Sequence, residues 1–176
     1  MIAGQLGGRR LRAAGGRGVR PTADRVREAL FSILGDAVRD ARVLDLYAGT
    51  GALAIEALSR GAREATCVEE DPAALAVLQR NVDELGLGER VRVVRADALE
   101  TCRRLARDGD GVDVVLCDPP YRLPLAPLGP ALVEADWWTT VVAIEHAAGA
   151  EAPPAPDGVR ADDRRWGDTA VTLYWR

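Results

Sequence analysis

Residues 42–62 read RVLDLYAGTGALAIEALSRGA, and this stretch decides the fold. Its first part, Arg42–Leu46, is a short and mostly apolar run that predicts a buried strand. Gly49 and Gly51 then predict a tight turn, and the apolar positions of residues 52–60 predict a helix. A strand, a glycine turn and a helix in this order are typical of α/β proteins, so we expect the turn at the carboxyl edge of a sheet.

Strand and helix patterns continue to alternate along the chain. The further predicted strands are residues 65–69, 91–95, 112–117 and 141–145. The further predicted helices are residues 22–35, with Thr22 as a candidate cap, residues 71–86 and residues 98–107. Residues 159–165 and 169–175, joined at Gly167-Asp168, predict a closing antiparallel hairpin. We therefore predict a doubly wound α/β fold with a mostly parallel sheet and right-handed crossovers.

The composition favours one globular domain. Of the 176 residues, 48% are hydrophobic and 28% are charged, which is typical of globular proteins. We predict a single domain in which residues 1–20 form a basic N-terminal arm or hairpin and residues 21–176 form the core. The longest stretch without a charge, residues 123–133, is much shorter than the roughly 20 apolar residues that span a bilayer. No signal peptide is recognisable, so we expect neither a membrane anchor nor secretion.

Cysteine and histidine are too few and too scattered for a structural scaffold. The three cysteines are Cys67, Cys102 and Cys117, and His146 is the one histidine. Neither a disulfide framework nor a zinc site can be built from these residues. We therefore expect no bound metal and a reducing, cytoplasmic location.

The charge of the chain is unevenly distributed. The net charge is -4, yet residues 1–27 carry seven arginines against Asp24 alone, a balance of +6 that leaves -10 on the rest. Residues 2–18 hold six glycines and four arginines, a pattern that fits either a short hairpin or a flexible arm. A cationic arm on an acidic body predicts a partner that is locally anionic.

The glycine turn is a candidate ligand site with more than one interpretation. A dinucleotide fingerprint would need a third glycine where Ala54 stands, and alanine is permitted there, so a nicotinamide or flavin site stays possible. Asp45, on the strand before the glycines, would repel a pyrophosphate but could accept a hydrogen bond from an ammonium group. A cofactor with a cationic amino-acid end therefore suits the turn better, and the plainer alternative is a tight turn without a ligand.

Two acidic residues follow at the ends of the next predicted strands. Glu69 comes 20 residues after Gly49, a spacing at which an acid can bind the hydroxyls of a ribose. Asp71 is better interpreted as a helix cap. Asp97 either caps the next helix or approaches the amino group of an adenine, and the sequence favours neither.

The motif DPPY at residues 118–121 directly follows the predicted strand 112–117. Two successive prolines fix the backbone and remove two donors, which leaves the Asp118 carboxylate and the Pro119 carbonyl as acceptors. Such acceptors can hold an exocyclic amino group while Tyr121 stacks on the ring, which would position the nitrogen for attack on an electrophilic methyl group. A simple proline turn after a strand is the alternative.

These motifs, taken in order, resemble those of class I S-adenosylmethionine-dependent methyltransferases that modify amino nitrogens. Longer stretches resemble the bacterial small-subunit ribosomal RNA guanine-N2 methyltransferases of the RsmD type. They are GGRRL at 7–11, RPTADRVREALF at 20–31, DLYAGTGAL at 45–53, EALSRGA at 56–62 and GDT at 167–169.

The resemblance implies a seven-stranded, Rossmann-like methyltransferase fold that acts on one guanine of 16S rRNA in an assembling small subunit, as a cytoplasmic protein and a monomer. S-adenosylmethionine would be the co-substrate, bound by Asp45, Tyr47, Gly49, Gly51, Glu69, Asp97 and Ala98. The target amine would lie against the catalytic residues Asp118, Pro119, Pro120 and Tyr121. Phosphate contacts to the RNA are expected from Arg9, Arg10, Arg12, Arg17 and Arg20, although each could instead be a solvated arginine.

Other functions stay open at this point. The DPPY motif also serves adenine N6 and cytosine N4, so a methyltransferase acting on DNA or on another RNA is an alternative. A noncatalytic RNA-binding assembly factor could keep the same fold as a scaffold. A nucleotide-dependent oxidoreductase is disfavoured by Asp45.

Overall fold

The structure, a computed structural model, describes residues 1–13 and 21–176, and of residues 21–23 the backbone only. The helices are α1 (Pro21–Leu34), α2 (Ala52–Ser59), α3 (Pro72–Glu84) and α4 (Ala98–Asp108). The strands are β1 (Arg42–Leu46), β2 (Glu64–Glu69), β3 (Val91–Arg95), β4 (Val112–Cys117), β5 (Trp138–Ala147), β6 (Arg160–Trp166) and β7 (Thr169–Trp175). In this part of the chain, no helix is both long and apolar enough to cross a bilayer.

All seven strands form one sheet in the order β3-β2-β1-β4-β5-β7-β6. Strands β1 to β5 are parallel, whereas β7 runs antiparallel to β5 and to β6. The predicted α/β fold and its closing hairpin are therefore confirmed. The strand order reverses between β1 and β4, and open α/β sheets bind ligands at the carboxyl end of such a reversal.

The sheet is covered on both faces, which explains why its central strands are nearly all apolar. One face packs against α1, α2 and α3 through residues such as Phe31 and Leu78. The other face packs against α4 and against residues 125–133, from which Leu128 and Leu132 are buried in the core. The proline-rich segment after the DPPY motif thus covers one face of the sheet.

Two local expectations need correction. The first helix begins at Pro21, so Thr22 lies inside its first turn and is not the cap. Proline is well suited to the first helical position because its missing N–H has no partner there anyway. The fifth strand, expected over residues 141–145, runs from Trp138 to Ala147. It is longer because it also pairs with β7 as far as Ala147, opposite Thr169.

The described N-terminal residues, 1–13, lie on the body of the protein. They contain a short 3₁₀ turn at Gly4–Leu6. The buried carboxylate of Glu56 accepts the backbone N–H groups of Ile2 and Ala3 at 2.9 and 3.2 Å, and Ser59 Oγ accepts that of Leu6 at 2.9 Å. The arm or hairpin predicted for residues 1–20 as a whole stays a prediction. Residues 14–20, which include Arg17 and Arg20, lie outside the described residues.

Candidate active site

The glycine turn has the strained backbone that its sequence suggests. Gly49 and Gly51 have φ angles of 56° and 81°, and Tyr47 has a φ of 59° although it is not a glycine. A Cβ on Gly51 would lie 2.3 Å from Leu78 Cδ1 of α3, so only glycine fits where this helix approaches the turn. Left-handed backbone at a non-glycine residue is costly; among the described residues only Asp40 shares it with Tyr47, and Tyr47 lies in a turn at the carboxyl edge of the sheet, where such strain is typical of functional sites.

Asp45 is buried beneath the turn and is only partly satisfied. Its Oδ2 atom accepts the backbone N–H of Ala54 at 2.9 Å, whereas its Oδ1 atom has no hydrogen-bond partner. The pKa of Asp45 is raised to about 7, chiefly by loss of hydration; the hydrogen bond from Ala54 lowers it, and the nearby charges of Asp118 and Glu69 contribute to the rise. A buried acceptor without a donor is expensive unless a ligand supplies one. An ammonium group would do so.

Glu69 lies at the end of β2 and braces the glycine turn. Its Oε2 atom accepts the backbone N–H of Gly49 at 2.8 Å, and its Oε1 atom accepts those of Glu70 and Asp71 at 2.9 Å. The sequence did not reveal this bracing role. A carboxylate has about four acceptor positions, so the three bonds leave room for a ribose hydroxyl, and that contact stays a prediction.

The two aspartates that follow β2 and β3 both cap helices. Asp71 Oδ1 accepts the backbone N–H groups of Ala73 and Ala74 at 2.8 Å, as expected. Asp97 Oδ1 accepts that of Glu100 at 2.8 Å, so the capping alternative is present in the structure. A contact of Asp97 or Ala98 with an adenine stays a prediction.

The DPPY motif lies beside the glycine turn at the same edge of the sheet. The backbone N–H of Asp118 donates to the carbonyl of Leu46 at 3.3 Å, which continues the pairing of β4 with β1. Asp118 is reached by solvent at the carboxyl edge of the sheet. The protein atoms around its carboxylate reduce its hydration and raise its pKa to about 6. Pro119 is buried, so the corner of the motif is held firmly against the sheet.

Tyr121 presents an aromatic ring at the same edge of the sheet. Its side chain is 53% exposed, and its hydroxyl is hydrogen-bonded to Thr169 Oγ1 over 2.7 Å. Thr169 is the first residue of β7. An exposed aromatic ring that is fixed at its far end is well placed to stack on a planar ligand.

Glu145 joins the site although the sequence analysis assigned it no role. It follows Ile144, which pairs with Cys117 across β5 and β4, so Glu145 lies beside Asp118. Loss of hydration and the charge of Asp118 raise the pKa of Glu145 to about 7, and the hydroxyl of Tyr121 opposes this rise. The sequence signal was that Glu145 ends the predicted fifth strand, as Asp118 follows the predicted fourth strand. This signal becomes informative only when β4 and β5 are known to be neighbours in the sheet.

Asp45, Asp118 and Glu145 form a row of carboxylates on one face of the sheet. Each lies two residues beyond a buried residue of the cluster that packs against α1, α2 and α3, and residues two apart in a strand share a face. The charge of Asp118 raises the pKa of Asp45 and that of Glu145. Within the described ranges, no arginine pairs with any of the three. The row therefore suits a cationic ligand and a second ligand that donates hydrogen bonds.

The arginines near the N-terminus differ in their environment. Arg9 and Arg10 are exposed. Arg12 instead pairs with Glu84 of α3, with an Nη2–Oε1 distance of 2.6 Å, and its backbone N–H donates to Asn81 Oδ1 at 2.8 Å. The phosphate contacts expected of these residues stay predictions, and Arg12 would have to leave Glu84 to make one.

Comparison with known proteins gives a consistent result. The family model described as conserved hypothetical protein 95 matches residues 1–175. The ribosomal RNA small subunit methyltransferase D of Escherichia coli is 42% identical over 138 residues, which are 78% of this chain and 68% of that protein. A solved Escherichia coli structure described as a methyltransferase superposes with a TM-score of 0.86 at 36% identity and covers 100% of this chain and 96% of that one.

A second solved structure, from Thermus thermophilus, superposes with a TM-score of 0.84 at 31% identity and covers 99% of this chain and 98% of that one. The likeness thus extends from the N-terminal residues through the closing hairpin. Because the family model matches nearly the whole chain and the site geometry agrees with it, the chain belongs to the conserved hypothetical protein 95 family, the RsmD-type methyltransferases.

Proposed function

We propose that this protein transfers a methyl group from S-adenosylmethionine to the exocyclic N2 amine of a guanine in 16S rRNA. One observation carries the proposal. The unpartnered oxygen of Asp45 and the two acceptors of the DPPY corner lie at the carboxyl ends of the adjacent strands β1 and β4. A site for a cation thus adjoins a site for an amine.

The residues around the glycine turn fit the donor. When bound, S-adenosylmethionine supplies a methyl group on a positively charged sulfur. Asp45 would accept a hydrogen bond from the ammonium group of its methionine end through the Oδ1 atom. Glu69 would use its remaining acceptor position for a ribose hydroxyl, and Asp97 with Ala98 would lie against the adenine. The negative charge of the carboxylate row as a whole favours a cationic ligand.

The DPPY corner fits the amine of a base. The lone pair of a nucleobase amine is delocalised into the ring, so its reaction depends on accurate positioning. Asp118 and the Pro119 carbonyl would accept the two N–H groups of the amine, while the ring of Tyr121 stacks on the base. Because its raised pKa of about 6 still leaves Asp118 mostly ionised at neutral pH, it acts as an acceptor and can receive the proton that the amine loses.

The RNA would be held chiefly through its backbone. Arg9 and Arg10 are the exposed candidates among the described residues, and Arg12, Arg17 and Arg20 complete the proposed set. A base that enters the site must be unpaired or extruded from its helix. The name of the Escherichia coli relative points to the small ribosomal subunit as the substrate, which would place the reaction in the cytoplasm.

The test is incubation of the protein with labelled S-adenosylmethionine and small subunits that lack the modification, followed by mapping of the labelled base. Naked 16S rRNA and DNA serve as further substrates. We expect label on guanine N2 in ribosomal RNA or its particle. Label on adenine N6 or cytosine N4 would instead identify another amino-methyltransferase, and donor binding without transfer would identify a noncatalytic factor.

A further inference from the structure

Glu145 is an acidic residue beside the DPPY corner that the proposed transfer does not use. The pairing of Ile144 with Cys117 brings Glu145 of β5 beside Asp118 at the end of β4. On its other side, Glu145 is opposite Val171 of β7, which carries no charge. The charge of Asp118 raises the pKa of Glu145, and the nearby hydroxyl of Tyr121 lowers it. A half-buried carboxylate beside a like charge is costly to keep, so its presence calls for an explanation.

The ring of Tyr121 is held at the edge of the sheet beside Glu145. The hydroxyl of Tyr121 is hydrogen-bonded to Thr169 Oγ1 over 2.7 Å, so the ring is fixed near the part of the edge where β4 and β5 end and β7 begins. A base whose amine lies at Asp118 and Pro119 would then place the ring nitrogen next to that amine towards Glu145.

The bases that carry an amine differ in the atom next to it. In guanine, the ring nitrogen N1 beside the N2 amine carries a hydrogen and is a donor. In adenine and cytosine, the ring nitrogen beside the amine is an acceptor without a hydrogen. A carboxylate at this position therefore attracts guanine and repels the two other bases, since buried groups left without a partner cost binding energy.

We propose that the carboxylate of Glu145 accepts the ring N1–H of the target guanine, beside the Asp118–Pro119 pair that holds its N2 amine, and thereby selects guanine. This inference rests on the function proposed above and deepens it. No proton is transferred to Glu145 in this contact, and Glu145 acts as a specificity-determining residue. The DPPY motif alone can bind the amine of any of these bases, and Glu145 of the neighbouring strand β5 discriminates between them.

The experiment compares guanine with 2-aminopurine at the target position of the RNA, which is assembled into particles where the particle is required. 2-Aminopurine keeps the 2-amino group, but its N1 atom is an acceptor. The wild-type protein should prefer guanine by roughly 10- to 100-fold in kcat/KM, the discrimination of a good paired contact to a base. In Glu145→Gln, the amide can donate to N1 of 2-aminopurine, so this preference should fall at least about tenfold.

Three further measurements make the result decisive. The affinity for S-adenosylmethionine, measured by calorimetry, should be unchanged in Glu145→Gln. Glu89→Gln, which removes the same charge from an exposed position before β3, should keep the wild-type preference. Glu145→Asp, which keeps the carboxylate, should react more slowly with guanine and still prefer it over 2-aminopurine.

The two proposals fail in different ways. A Glu145→Gln protein that methylates guanine with the wild-type preference overturns the role of Glu145 and leaves the proposed function intact. Loss of the preference in Glu145→Asp as well, or an equal loss in Glu89→Gln, also overturns it, because the carboxylate would then not be the selecting group. A wild-type protein that modifies no guanine N2 contradicts the proposed function itself.

Discussion

The buried carboxylate of Asp45 accepts the backbone N–H of Ala54 with one oxygen at 2.9 Å and leaves its other oxygen without a partner. Without bound S-adenosylmethionine, the protein thus keeps the partly charged Asp45 carboxylate in its interior with one oxygen that accepts no hydrogen bond. Such a group lowers the stability of the free protein and prepares the site for a cation. Function and stability are therefore opposed at this residue.

We expect Asp45→Asn to stabilise the free protein at pH 8 by about 1–3 kcal/mol. The pKa of Asp45 is raised to about 7 in the folded protein, against about 3.9 in an unfolded chain. The folded protein therefore favours the protonated form of Asp45. The stability that this preference contributes is fully present below pH ~4 and is lost as the pH rises to about 7. The gain of the variant should vanish towards pH 4. Urea unfolding of both proteins between pH 4 and 8 measures this, and an equal gain at both ends would contradict it.

The same variant should bind the donor at least about tenfold more weakly, because a neutral amide replaces the charged acceptor. In the wild-type protein, donor affinity should rise with pH up to about 7 as Asp45 becomes ionised. Calorimetry over this range is the measurement. Wild-type affinity in Asp45→Asn would remove Asp45 from the donor site.

Asp118→Ala should lower the rate of methyl transfer by at least about 100-fold, since the amine loses one of the two acceptors that position it. Donor affinity should stay nearly unchanged. Single-turnover rates and donor titrations separate the two effects. Asp110→Ala, in the exposed turn before β4, is the matched control and should behave like the wild-type protein. Retained transfer in Asp118→Ala would exclude Asp118 from the mechanism.

Joint replacement of Arg9 and Arg10 by alanine should weaken RNA binding and reduce the slope of log K against log salt by about 1–2, as expected for two lost phosphate contacts. Arg12→Ala should weaken RNA binding by less than the double replacement, because Arg12 is paired with Glu84. Glu84→Gln should release Arg12 and strengthen RNA binding, since exposed ion pairs are weak. Filter binding at several salt concentrations measures all three. Unchanged slopes in the double variant would exclude this segment from the interface.

Gly4→Ala should detach the N-terminal residues from α2. A Cβ at this position would lie 1.8 Å from the carbonyl oxygen of Ser59, whereas a Cβ on Gly8 would meet nothing within 4 Å. Both glycines have nearly the same φ, 78° and 79°, so Gly8→Ala controls for backbone strain of about 1–2 kcal/mol. Hydrogen exchange at Ile2 and Leu6 should accelerate in Gly4→Ala alone. Equal acceleration in both variants would show that strain, and not the close approach, is responsible.

Much of the fold could be predicted because its signals are local. The turn at Gly49 and Gly51, the cap at Asp71 and the closing hairpin at Gly167-Asp168 depend on a few consecutive residues whose backbone preferences are strong. The contacts of the N-terminal residues could not be predicted, for the opposite reason. Their glycine-rich sequence has weak preferences of its own, and their structure comes from Glu56, which is 54 positions from Ile2.

The sequence by itself determined the alternation of strands and helices, the edge of the sheet at which the acidic residues gather, and the family. Only the tertiary structure decided which acids become neighbours: Glu145 beside Asp118, Glu69 beneath Gly49, and Glu84 against Arg12, which is 72 positions away. The physical reason is that periodicity and turn chemistry act over a few residues. Strand order and register instead follow from burying both faces of one sheet at once, so they depend on the whole chain.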